Sequence, residues 1–385
     1  MPPKGKEGPG SAKLSSRRQR TQAPSWRLPP VPWILSAGAP SETLPPSRVL
    51  VCGAVAEALL LAKSLPQADI VVLDPSEKLA RSLRLSAKRR HLGNLTSLSA
   101  PPDQPHLAEI TGRNFDLVLA IAPPPDPSAT AAFLANLSAC LSRPHGRLYF
   151  KTCGDAHPFV QTTDTLNCLG LSPRLADSIS RDAPPLLHLA AALAGDEFAG
   201  SVPFPSSTLS LADWVSAFRS HGLHFAAALH VPSVLSRALN FGGVQPLLSF
   251  STESLAALLD SLAHPINRHL LFSVSPCPEP PFHDLVSLLA WRPSVRFWPR
   301  ERIPPQQTPF TRSLSVELQI QRVLPPLQMQ MSGYLLELLR LSGGKLSLAE
   351  IMALIPHPTS VEEILPALWF FHHACILHLQ PPPTQ

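Results

Sequence analysis

The chain has 385 residues, 44% hydrophobic and 15% charged, which supplies apolar surface for two folded cores. It holds no run of about 18 apolar residues, which excludes a bilayer-spanning helix. The net charge of +5 sits in the first 28 residues, where seven Lys or Arg face Glu7; the remaining 25 basic and 26 acidic residues give no electrostatic footprint for nucleic acid.

Residues 1–44 read as a basic Pro- and Ser-rich tail, either a solvated end or a contact for RNA, DNA or acidic lipid, with no apolar segment of a secretory signal behind its charges. From Ser47 the pattern becomes regular. RVLVCGA (48–54) is an apolar run ending at glycine, and AEALLLAKSL (56–65) has helical spacing, so a strand feeding a helix is predicted. ADIVVLD (68–74) predicts a second strand. PSEKLARSLRLSAKRRHLG (75–93), with Pro75 early, Leu79 and Leu83 on one face and Gly93 as a stop, predicts the helix after it. FDLVLAIA (115–122) and GRLYFKTC (146–153) predict two more buried strands around a helical SATAAFLANLSACLS (128–142). Such alternation implies a parallel sheet with helices on both faces, an α/β Rossmann-like domain over 45–275.

Residues 154–210 predict an inserted cap with a helical piece at 184–194. A helix ending near Gly222 and a strand follow at 211–231, and NRHLLFSVS (267–275) reads as another strand; these two close the sheet. Past the prolines at 276–281 the texture becomes helical, which places a second domain at 276–385. Ser347 with Glu350, and Ser360 with Glu363, read as capping boxes. With a helix over 328–343 and a closing strand at 375–380, the end reads as winged-helix-like or as a generic helical domain, and both readings stand.

In a doubly wound sheet, ligands bind beyond the carboxyl ends of the strands, where strand order reverses. The first turn there runs Cys52, Gly53, Ala54, Val55, Ala56, Glu57, with one glycine to let the backbone approach a ligand. Asp74, 21 residues after Gly53, ends the second apolar run, where a carboxylate accepts from ribose hydroxyls; it also suits the cap of the next helix. Six scattered cysteines without a C-x-x-C pair imply neither zinc nor disulfides and fit buried thiols in a reducing cytoplasm. His157, His221, His224, His372 and His373 share no catalytic spacing and read as surface or loosely packed; Trp369, Phe370 and Phe371 read as core.

Taken in order, these segments resemble class I S-adenosylmethionine-dependent methyltransferases. More narrowly, they are similar to the bacterial type carrying a methyltransferase regulatory domain, whose members include protein lysine methyltransferases. VLVCGAVAE matches the first loop, IVVLDPSEKLA the ribose-binding strand and helix, FDLVLAIAP the fourth strand and GRLYF the fifth. LADWVSAFRSHGLHFAAALHV, INRHLLFSVS and ILPALWFFHHACILHLQPPP look like the later segments, so the likeness covers about 45–380.

The resemblance implies S-adenosylmethionine as cofactor, contacted by Gly53, Ala54, Asp74, Pro75 and Ala120, with Asp103 nearest to the acidic residue that meets adenine. It also implies a protein substrate such as a lysine side chain, a cytoplasmic location and a regulatory C-terminal domain. Where the family has more glycines, Val55 and Glu57 bring Cβ atoms and a negative charge toward the methionine part. After the fourth strand, Ile121, Ala122 and three prolines replace polar or aromatic residues, so no catalytic base is assigned. Two functions follow: methyl transfer to a protein side chain, with S-adenosylmethionine bound, or an inactive methyltransferase-like scaffold that has lost the cofactor and works through interactions. Nucleic-acid binding through the basic tail is the least supported reading.

Overall fold

A computed structural model describes residues 46–53, 55–121, 127–153, 209–229, 248, 250–263, 267–295, 313–318, 327–355 and 361–382. The basic tail, Ala54 and nearly all of the expected cap lie outside the described residues. Seven strands form one sheet: β1 (Arg48–Cys52), β2 (Asp69–Asp74), β3 (Leu95–Ser99), β4 (Leu117–Ile121), β5 (Arg147–Cys153), β6 (His224–Ala228) and β7 (Asn267–Ser273). Their order is β3-β2-β1-β4-β5-β7-β6, with the first five parallel and β7 antiparallel to both its neighbours. Runs such as Val49 to Cys52 and Leu117 to Ala120 are buried without alternation, because helices cover both faces. β3 has no such run. It lies at the sheet's edge with only Ser97 buried, and the sequence pattern missed it for that reason.

The helices follow their caps. α1 (Val55–Ser64) leaves β1, and α2 (Glu77–Arg89) starts where the Ser76 side chain accepts from the Leu79 backbone N–H. Glu77 at its start and Lys88 and Arg89 at its end suit the helix dipole. Its buried face is Ala80, Leu83 and Ala87; Leu79, expected beside Leu83, is 47% exposed. Measured around the helix, Ala80, Leu83 and Ala87 centre the buried face, and position 79 falls at its edge in the first turn.

α3 (Leu107–Thr111) and α4 (Pro127–Cys140) complete the parallel half. α5 (Leu211–Ser220) and α6 (Thr252–Ala263) flank the antiparallel closure. There Phe133, Phe150, Trp214, Phe218 and Phe272 form a chain of aromatic contacts with centroids 4.3–6.5 Å apart. One ion pair is interred with them: Arg268 Nε lies 2.9 Å from each oxygen of Asp260, and Arg268 Nη1 donates to the Leu209 carbonyl at 3.1 Å. It ties α6 and the approach to α5 onto β7.

The C-terminal region is helical with two small sheets. α7 (Leu285–Leu289) leads into β8 (Arg292–Val295), which pairs with β11 (Leu377–Gln380); β9 (Ser313–Leu318) pairs with β10 (Leu327–Ser332). The single helix expected over 328–343 is corrected: 327–332 is strand, and α8 (Gly333–Leu341) begins only after its Ser332 cap. The alternating QMQMS stretch has the period of a strand, and the Ser-Gly step separates the elements.

α9 (Leu348–Leu354) carries the Ser347–Glu350 capping box; Ser360 of the second expected box lies outside the described residues. α10 (Val361–His373) then turns at Cys375, φ 57°, into β11. A bridge from Gly343 to Ser294 puts β8 between residue 343 and β11. Among the described residues no helix is long and apolar enough to cross a membrane.

Gly53 has φ +78°, and a Cβ there would stand 2.8 Å from the Ile121 carbonyl oxygen. Gly53→Ala is therefore expected to cost about 2 kcal/mol or more in urea unfolding, adding a left-handed backbone penalty to a backbone collision. Gly93→Ala, whose Cβ meets nothing within 4 Å, is expected to stay within about 0.5 kcal/mol of wild type.

Candidate functional site

Strand order reverses beside β1, whose neighbours are β2 on one side and β4 on the other. The registers there define a row of residues. Asp74 pairs with Ser99, Leu73 with Cys52, Cys52 with Ala120, Ile121 with Lys151, and Lys151 with His269. One step past Cys52, Gly53 lies between Asp74 and Ile121. The row at the carboxyl end of the parallel strands is thus Ser99, Asp74, Gly53, Ile121, Lys151, His269. At a strand spacing of about 4.8 Å, Gly53 is roughly 5 Å from Asp74 and roughly 10 Å from Lys151, backbone to backbone.

Asp74 stands on the β2 side of this row and is buried. Its Oδ1 accepts from the Ser76 N–H at 2.8 Å, and its carbonyl accepts from the Ala100 N–H at 3.2 Å. Oδ2 has no hydrogen bond from a described residue. The helix cap is Ser76, so the capping role considered for Asp74 moves two residues on, and Asp74 shapes the turn before the cap. Pro75 follows it, exposed. Ala120 is fully buried within β4, and Ile121 is the residue at the strand's end. The glycine at 53 answers to the carbonyl of Ile121 and to its own positive φ.

Asp103 lies in the loop after β3, on the same end of the sheet. Asn136 of α4 donates to the Pro102 and Gln104 carbonyls at 3.2 and 2.9 Å and so fixes that loop.

The other side of the row is polar in a way the apolar motif around GRLYF conceals. Tyr149 and Lys151 stand two apart on one face of β5, both buried. Tyr149 Oη lies 2.6 Å from His269 Nδ1. Burial, with the negative charge of Glu57 beside it, pushes the Tyr149 hydroxyl well above its ordinary pKa. Burial likewise raises the Glu57 carboxyl, and its backbone hydrogen bond and the Lys151 ammonium pull it back. The Glu57 charge expected to intrude on the methionine part is thus coupled to Lys151 and Tyr149 of β5. Glu57, Tyr149, Lys151 and His269 form one electrostatic unit from α1, β5 and β7. Residues 120 apart in sequence meet in it, and no local spacing announces them.

No family model and no curated protein matches the chain. Among solved structures, PKMT2 from Rickettsia typhi in complex with AdoHcy is similar, with 12% identity and a TM-score of 0.53 over 91% of this chain and 75% of that one. A second structure of PKMT2 from Rickettsia typhi gives 12% identity and a TM-score of 0.53 over 91% and 74%. The fold is that of a Rossmann-like methyltransferase. Its seven-stranded sheet, with β7 inserted antiparallel between β5 and β6, is the feature that decides it.

Of the histidines, His157 lies outside the described residues, and His221 and His224 flank the turn from α5 to β6. His372 and His373, read as surface or loosely packed, are half-buried. They are packed among Phe282, Trp369 and His378, with His372 Nδ1 and His373 Nε2 buried and unbonded. With Glu279, Cys277 and Cys375 they line a cleft between β6, the first turns of α6 and β11, away from the row. Among the described residues no group of three ligands fits a metal.

Burial drives the His372 pKa from 6.5 down to about 4 and that of His373 lower as well. A depressed histidine contributes stability that is complete above its unfolded pKa and is lost as pH falls toward the folded one. Unfolding free energy is therefore expected to drop between pH 7 and pH 5 by about 2 kcal/mol for His372, read by urea titration at both pH values. His372→Gln is expected to remove most of that dependence.

Proposed function

We propose that this protein is an S-adenosylmethionine-dependent methyltransferase acting on a protein side chain such as lysine. The observation that carries the reading is Asp74: a buried carboxylate at the end of β2, beside the reversal of strand order, with one oxygen accepting from the Ser76 N–H and the other without a hydrogen bond from a described residue. The fold supports it, as does the complex of the similar Rickettsia typhi PKMT2 with AdoHcy.

When bound, S-adenosylmethionine supplies an electrophilic methyl group on a sulfonium. The chain's own part is positional. Asp74 holds the ribose, the loop carrying Asp103 borders the adenine, and Gly53 lets the first loop leave β1 without a side chain against β4. The row then continues to Lys151 and His269, where an acceptor enters. Most of the acceleration comes from holding acceptor and methyl in line, so a cofactor loop with a single glycine still serves if the ribose is anchored. The helical C-terminal region, which meets the sheet edge at the cleft behind β6, governs access of the protein substrate.

Isothermal titration with S-adenosylmethionine tests the reading. Wild type is expected to bind, and Asp74→Ala to bind roughly 10- to 100-fold more weakly, the loss of a charged acceptor worth about 1.5 to 3 kcal/mol. Asp74→Asn keeps an acceptor for the Ser76 N–H and controls for the turn. No heat in the wild type, or equal heat in wild type and Asp74→Ala, overturns the reading in favour of an inactive scaffold.

A further inference from the structure

We propose that the solvent face of α2 binds the phosphate backbone of a nucleic-acid duplex, without reading its bases. The inference goes beyond the methyl-transfer reading and does not depend on it, since it uses no residue of the row.

Charge on this helix is concentrated. Residues 77–90 hold six Lys or Arg (Lys78, Arg81, Arg84, Lys88, Arg89 and Arg90) against Glu77, a net charge of +5. All six are exposed. Glu77 pairs with Arg84, and among the described residues the other five cations have no acidic partner. The near-neutral total of the chain beyond residue 28 conceals this face, because acidic residues on other elements cancel it in the sum.

The fold arranges the charges. At about 100° per residue, Lys78, Arg81, Lys88 and Arg89 fall within an arc of about 100° and span about 17 Å of axis. That arc lies opposite Ala80, Leu83 and Ala87, which fasten the helix to the sheet. A further cation comes from α1. Asn94 Nδ2 lies 3.0–3.2 Å from the Ala62, Leu65 and Ala68 carbonyl oxygens, so the exposed Lys63 near the end of α1 is held on the same end of the sheet as Lys88, Arg89 and Arg90.

Helix stability does not account for the pattern. Lys88 and Arg89 in the last turn suit the dipole, but Lys78 stands in the first turn, where the field of the helix disfavours a cation. Lys78, Arg81, Arg84 and Lys88 also follow one another at steps of three or four residues, so each repels the next across one turn. A polyanion laid along the helix relieves that repulsion.

The same face selects among polyanions. A duplex carries one charge per about 1.7 Å of its axis, so this length of helix meets about ten phosphates, and release of their counterions drives binding. Arg81, Arg84, Arg89 and Arg90 carry guanidinium groups, each able to take a phosphate through two N–H donors. No aromatic side chain stands on α2 for an unpaired base to stack on, which disfavours a single strand. A bilayer needs an apolar stripe to enter, and the apolar face of α2 is buried against the sheet. Its exposed leucines, Leu79 and Leu85, lie about 120° apart around the axis and form no such stripe.

The test is fluorescence anisotropy of a labelled DNA duplex of about 24 base pairs, with the full chain and no cofactor, between roughly 50 and 200 mM salt. In one variant Lys78, Arg81, Lys88 and Arg89 are all changed to Gln; in a control Lys4, Lys6, Arg17 and Arg18 of the tail are changed to Gln, which removes the same charge. The helix variant is expected to bind roughly 100-fold more weakly at the lower salt, with the salt slope reduced by about 3 to 4, and the control to lose less than about threefold. Two duplexes of unrelated sequence are expected to bind alike. The urea midpoint of the helix variant is expected to equal or exceed that of wild type, because the repulsive ladder is gone.

No salt-dependent binding by the wild type, wild-type affinity in the helix variant, or equal loss in the two variants overturns the inference. So does a single strand, or a phosphatidylserine vesicle, that displaces the duplex at a lower phosphate concentration than unlabelled duplex does. Absence of cofactor heat overturns the methyl-transfer reading and leaves this one standing.

Discussion

The seam between β1 and β4 is the constraint on which the rest of the molecule depends. At its amino end the Asp116 carboxylate accepts from the Ser47 N–H, the Ser47 hydroxyl and the Arg48 N–H, at 2.8, 2.7 and 3.2 Å. At its carboxyl end the Ile121 carbonyl approaches so closely that only a glycine fits at 53. Between these two points four residues of β1 pair with β4 without a slip. Because one step of register turns every side chain to the opposite face, pinning both ends determines which residues of the whole sheet reach its upper row. Asp74, Lys151 and His269 are neighbours in that row only because the seam holds.

A second constraint is the interment of charge. Lys151, Arg268 and Asp260 are all buried, and Glu57 is half-buried. Such groups persist only when paired or hydrogen-bonded. The two cases differ in consequence. Arg268 and Asp260 satisfy one another on the face of the sheet that carries the aromatic chain, and they act as a structural staple for the antiparallel closure. Lys151, Glu57, Tyr149 and His269 lie on the face toward α1, where burial and mutual charge raise the Glu57 carboxyl and the Tyr149 hydroxyl.

Much of the fold was legible because strands covered on both faces must be continuously apolar. VLVC, DIVVLD, FDLVLAI and GRLYF say as much without help from tertiary structure. The half-exposed edge strand LTSLS carried no such signal, and the alternating QMQMS stretch was absorbed into the helix after it. Leu79 lies at the edge of the face centred on Ala80, Leu83 and Ala87, and is exposed. The ring contacts of His372 and His373 with Phe282 and with His378 of β11 come from segments that a reading of one helix does not bring to them.

For the site, the linear order of residues by itself determined its two ends, a glycine closing the first strand and an acidic residue closing the second, since each needs only its own strand and turn. It also determined that the turn is poor in glycine. What only the tertiary structure decided is that Gly53 answers to β4, that Ser76 and not Asp74 caps the helix, and that Tyr149 meets His269. The physical reason is that side-chain chemistry across a sheet depends on register and strand order, and strand order here places β7 beside β5 before β6. No spacing along the chain encodes that neighbourhood; it arises when the sheet closes.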